Sequence, residues 1–161
     1  MAETDETIIR IKPHHFLDII RDLGAGHVWE PHPYGHAVHT VAQELLARRD
    51  GLLELVAGAD DICRPCKHNI DGSCADTTTS PGYEISKERW NRTIDNRWLD
   101  RLGLKLGQII SAREFCRLAD ERMGDLLTIY PEVEVDRTTE RGVNLKKGIA
   151  VFLEAGDRRL K

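Results

Sequence analysis

Three of the four cysteines in this 161-residue chain fall within one short run, Asp60-Asp61-Ile62-Cys63-Arg64-Pro65-Cys66-Lys67-His68-Asn69-Ile70-Asp71-Gly72-Ser73-Cys74. The run is rich in Pro, Asn, Asp, Gly and Ser and has no apolar periodicity, so its thiols are not explained as packed core residues. Two cysteines three positions apart can face one small volume if the chain between them turns, and Arg64-Pro65 suits a turn. Asp71-Gly72 is a second turn signal, able to fold Cys74 back onto the same centre. Cys63, Cys66 and Cys74 are therefore expected to bind one metal centre.

The setting supports metal over disulfides. No stretch has the length of a membrane span, and the polar, acidic residues 1–7 are unlike a secretory signal. A cytoplasmic location is expected, where thiols are reduced and clustered cysteines mean metal or redox chemistry. A net charge of −4 gives no general basic field, so nucleic acid is not an expected partner. With 40% hydrophobic and 31% charged residues, the composition fits one soluble globular domain over 1–161, with 1–7 as a disordered tail.

Around the loop the pattern is mostly helical. Residues 8–12 and 52–56 read as two short strands that pair with each other. Phe16, Leu17, Ile19, Ile20 and Leu23 recur at helical spacing after Pro13, and Gly24-Ala25-Gly26 ends that helix. Further helices are expected over about 35–49, from Ser86 to Gly103, from Ser111 through Leu127, and over about 141–153. Ser86 is an N-cap, and Ser111 with Glu114 forms a capping box. The fold class is mainly α, a single domain with a small two-stranded β element (α+β) and a cysteine-rich metal loop.

Soft thiolates suit an iron–sulfur cluster or zinc. A structural zinc site usually closes with a second Cys pair or paired His, and no second C-x2-C exists here, although His68 lies nearby. Cys116 sits on a flank shared with Ala119, Met123 and Leu127, so a ligand and an ordinary packed thiol are equally consistent with it. His14-His15 opens the first helix and can meet an anion or a cluster, or simply cap and pack. His32, His36 and His39 share a face if their helix begins early, with a solvated or core-edge role expected. Asp60-Asp61 are expected to cap or solvate the loop, Arg64 and Lys67 to offset thiolate charge, and Trp90, Ile94 and Trp98 to form core.

Two segments together resemble a bacterial and archaeal family, domain of unknown function 1284. Its members begin with Arg-x-Arg-Pro-His-His-Leu-Leu-Cys and later carry Asp-Asp-Ile-Cys-x-x-Cys. The corresponding runs here are Arg10-Ile11-Lys12-Pro13-His14-His15-Phe16-Leu17-Asp18 and Asp60-Asp61-Ile62-Cys63-Arg64-Pro65-Cys66, and the resemblance extends over residues 8 to about 120. It implies iron–sulfur binding. It also implies a vacancy, because Asp18 stands where the family has cysteine. Cys116 is the expected replacement ligand. The alternatives are Asp18 itself, or three thiolates with one iron open to substrate.

The expectation is thus a cytoplasmic protein with one [4Fe–4S] cluster on Cys63, Cys66, Cys74 and Cys116. Asp18, His14 and His15 are alternative ligands or neighbours. The role is electron transfer, sensing or chemistry at an open iron, with a redox partner or a small molecule as the partner. The alternative is a zinc-stabilised structural or interaction module.

Overall fold

In the computed structural model, which describes residues 7–159, the first strand and first helix follow directly on one another: β1 (Ile9–Ile11) and α1 (Pro13–Gly24). Pro13 opens the helix, where its missing N–H costs nothing. Then come α2 (Val38–Ala47), β2 (Leu52–Leu55) and two small hairpins, β3 (Asn69–Ile70) with β4 (Ser73–Cys74) and β5 (Thr77–Thr78) with β6 (Ile85–Ser86). The remainder is α3 (Lys87–Leu102), β7 (Ile109–Ser111), α4 (Ala112–Arg122), a 3-10 turn at Leu126–Thr128 and α5 (Val135–Arg159). The architecture is α+β. No helix among the described residues is long and apolar enough to cross a membrane.

The expected pairing of the first two strands is present and parallel, with Ile9 opposite Leu53 and Ile11 opposite Leu55. The β element is larger than expected, however. β7 pairs antiparallel on the other side of β2, giving a three-stranded sheet in the order β1-β2-β7. Its three residues alternate too briefly to stand out, and the hydrogen bonds that make them a strand come from a distant partner. The expected caps form at Ser86, which accepts from the Arg89 N–H, and at Gly103, which ends α3 in the left-handed conformation; of the expected capping box, the half in which Ser111 accepts from the Glu114 N–H is present. Two helices differ in extent. α4 stops at Arg122, and Gly124 at φ 57° precedes the 3-10 turn that takes Leu126 and Leu127 out of the helix. α5 starts earlier and runs further than 141–153, straight through Gly142 and Gly148.

The core is one cluster in which Phe16 of α1 packs against Phe115 of α4, ring centroids 4.5 Å apart, and edge-on against Phe152 of α5. Trp98 is fully buried and donates its indole N–H to the Tyr130 hydroxyl at 3.0 Å. α1 lies closest to α5. A methyl group on Gly24 would sit 1.9 Å from the Asn144 carbonyl oxygen, and one on Gly148 would sit 1.8 Å from that of Ile20. The backbones touch there with no side chain between them. This contact fixes the helix that carries the histidine pair. Residues 1–6 of the expected disordered tail lie outside the described residues.

Candidate metal centre

The cysteine loop folds by turns its sequence announces. The Cys66 N–H donates to the Cys63 carbonyl at 2.8 Å, closing the C-x-x-C segment into a knuckle. The His68 N–H then points at Cys66 Sγ, 3.4 Å away, a contact that favours the thiolate. Asp71 (φ 51°) and Gly72 (φ 84°) both adopt positive φ, as a two-residue type I′ hairpin demands. That hairpin sets Cys74 opposite Asn69 and returns it toward the knuckle. The loop is also pinned from outside. Lys67 N–H donates to the Tyr34 carbonyl, Asp61 N–H to that of Arg10, and Cys74 N–H to the Glu88 carboxylate.

Cys63, Cys66 and Cys74 all line a single cleft of about 350 Å³, facing the start of α1. Lys12, His14, His15 and Asp18 line it as well, so the two motifs that lie far apart in the sequence meet here. Cys116 does not line it. It is fully buried among core side chains, and burial pushes its thiol far above the ordinary range. Asp18 does line it, but its carboxylate is held by Arg141 at 2.8 Å and Arg21 at 3.4 Å, and these cations outweigh burial to keep it ionised below the usual range.

Asp60, expected to cap or solvate, is instead fully buried and organises the wall. Its Oδ1 accepts from the Ile62 and Cys63 N–H groups at 3.1 and 3.0 Å, the capping part of the expectation. Its Oδ2 accepts from the Lys12 N–H and from His15 Nδ1, both at 2.8 Å. Burial alone would raise its pKa, but His15 and the backbone donors hold it far below the carboxylate range. A ring nitrogen of His15, a carboxylate oxygen of Asp60 and Cys63 Sγ lie within 4.8 Å of one another. Nothing in the local sequence distinguishes Asp60 from Asp61, because three of the four donors that saturate it are set by chain geometry.

His14 is anchored in the same manner by α3. Its backbone N–H and its Nδ1 both meet Asp95 Oδ1 at 2.8 Å. Burial opposes its charge, yet the neighbouring Asp95 carboxylate raises its pKa above the usual value. Asp60 and Asp95 thereby satisfy N–H groups at the start of α1, which Lys12 does not cap with its own side chain. Lys12 is only 3% exposed, with Cys63 and Asp60 as its electrostatic partners; despite burial they raise its pKa. The Cys63 thiol is pushed up to about 11 by burial and by Asp60, against the pull of Lys12.

The histidines expected on one face of α2 are arranged differently. α2 starts at Val38, so His32 and His36 precede it, their rings stacked at 4.3 Å. Among the described residues they form no metal-sized group with a third ligand.

The fold and the cleft define a small α+β protein whose cysteine knuckle and hairpin face a pair of carboxylate-anchored histidines. Residues 32–129, more than half of the chain, match the family described as protein of unknown function (DUF1284), and the chain belongs to that family. No curated protein and no solved structure matches it. The matched span holds all four cysteines and Asp60, while α1 with its histidines lies outside it.

Proposed function

We propose that the chain is an iron–sulfur protein whose cluster, a [4Fe–4S] centre, is held by Cys63, Cys66 and Cys74. The observation that carries this reading is that the three loop thiols line one cleft against a buried ammonium, that of Lys12 beside Cys63. A cluster on thiolates is anionic, and a buried cation at its edge offsets that charge where water does not. The N–H group aimed at Cys66 Sγ acts in the same direction. The cleft is larger than three thiols need and continues past His14 to Asp18, Tyr130 and Arg141, leaving room for a small molecule beside the centre. Electron transfer, sensing and chemistry on such a molecule are the roles this arrangement can serve, in a reducing compartment.

The zinc-stabilised module is the second reading, favoured by the C-x-x-C knuckle followed by a tight hairpin, a shape that also suits a structural ion. Anaerobic purification with iron, sulfide and zinc analysis separates the two. The cluster reading expects a brown protein absorbing near about 400 nm, with iron and sulfide in equal amounts. Cys63→Ser, Cys66→Ser and Cys74→Ser should each lose most of the iron. A colourless protein with stoichiometric zinc would establish the module instead, and full metal in all three variants would refute both.

A further inference from the structure

A four-iron cluster takes four protein ligands as a rule, and the loop supplies three. The remaining candidates are unequal. Cys116 is enclosed by the core and does not reach the cleft. Asp18 is engaged by two guanidinium groups. His14 is nearly buried and does not share a metal-sized group with a cysteine among the described residues. Asp60 is adjacent to Cys63, but both of its oxygens are already taken, each accepting two hydrogen bonds.

His15 is different. Asp60 receives three backbone N–H groups, which can only donate, so its carboxylate is the accepting partner throughout. The Nδ1 atom at 2.8 Å must then carry the proton, so in the neutral imidazole that a metal ligand has to be, the lone pair is on Nε2. A carboxylate holding one ring nitrogen so that the other can bind metal is the usual support of a metal-bound imidazole. The ring lines the same cleft as the three cysteines and lies within 4.8 Å of Cys63 Sγ. Its place is also fixed from both ends, by α1 packed on α5 and by Asp60 locked into the loop through the Ile62 and Cys63 N–H groups.

We propose that His15, through Nε2, is the fourth ligand of the centre held by Cys63, Cys66 and Cys74, and that Asp60 is the residue that positions it. This rests on the cluster reading and deepens it. One imidazole in place of a thiolate removes a negative charge from the centre, so the cluster has a higher potential than one with four cysteines. Asp60 couples the loop to α1, because the same carboxylate caps the backbone of Cys63 and holds His15.

The test uses the full chain with its cluster reconstituted without oxygen, as wild type, His15→Cys, His15→Ala and Asp60→Asn. Iron and sulfide content is measured first, then pulsed EPR of the reduced cluster for a directly bound nitrogen, then the midpoint potential. Wild type should show the nitrogen coupling. His15→Cys should keep its iron, lose the coupling and fall in potential, a result that a purely structural role for His15 would not give. His15→Ala should lose the coupling and release iron faster. Asp60→Asn should retain metal roughly 10- to 100-fold less tightly. A wild-type cluster without a coupled nitrogen, or a His15→Cys cluster with unchanged potential, overturns the assignment and leaves the cluster reading standing. A wild type that takes up no iron overturns the reading itself, and the assignment with it.

Discussion

Gly148→Ala should destabilise this protein although it places a better helix former in the middle of α5. On an open helix the exchange gains about 1 kcal/mol. Here the added carbon would lie 1.8 Å from the Ile20 carbonyl oxygen and 2.7 Å from its carbonyl carbon, both backbone atoms. Ordinary contact needs at least about 3.5 Å, so α1 and α5 would have to separate by roughly 1.5 Å along their closest approach. No rotamer change can relieve the clash. The strain should reach the upper end of the usual overpacking cost, about 3 kcal/mol. After the gain in propensity, a net loss of about 2 kcal/mol or more remains, lowering the melting temperature by roughly 4–8 °C. Gly142→Ala is the control on the same helix, since its carbon would meet only the Leu126 Cδ1 methyl at 3.3 Å, the end of a flexible side chain. It should melt at or slightly above the wild-type temperature. Thermal and urea unfolding by circular dichroism would measure both. A Gly148→Ala protein as stable as Gly142→Ala would refute the argument that these helices meet backbone to backbone.

Cys116→Ser should cost about 1–3 kcal/mol in stability, because a hydroxyl replaces a thiol in an apolar, fully buried site, while iron content stays at the wild-type level. Loss of iron from a variant that remains folded by circular dichroism would restore Cys116 as a ligand. The Glu132 carboxylate is held below its usual range by the bidentate Arg97 guanidinium, at 2.8 and 2.9 Å. Its contribution is therefore present above its unfolded pKa of about 4.3 and is lost as pH falls through the lower folded value. With both side chains about a third exposed, Glu132→Gln should lose roughly 1 kcal/mol or less at pH 7. That gap should close in acid, and a gap that widens on acidification would contradict the sign.

The helical frame was legible because its signals are local. Ser86, Ser111, Gly103 and the apolar stripe after Pro13 each act within one or two turns, and each behaves as its chemistry dictates. The Asp71-Gly72 turn was legible for the same reason. What escaped depends on partners remote in the chain. β7 is a strand only because β2 lies beside it, and Asp60 is a buried organiser only because Lys12 and His15 reach it from 45 or more residues away. Gly148 is the place where another backbone must fit, which nothing in its own helix announces. Cys116 read equally well as a ligand or as core, since a helical flank facing apolar neighbours looks alike in both cases.

The contact between Gly24 and Gly148 joins the first and last helices described, and both stand outside the span shared with the family. Together they act as a clasp laid across the family-matched body. The cleft runs along the seam: its thiols come from the body, while His14, His15 and Asp18 come from one arm of the clasp and Arg141 from the other. During synthesis α1 emerges early but has no α5 to dock on until residue 148 has followed it. The cysteine loop can form its turns well before then. Its histidines are held to the body by Asp95 and Asp60, and Arg141 joins the same cleft only when α5 docks, so the lining is complete only once both arms of the clasp are in place.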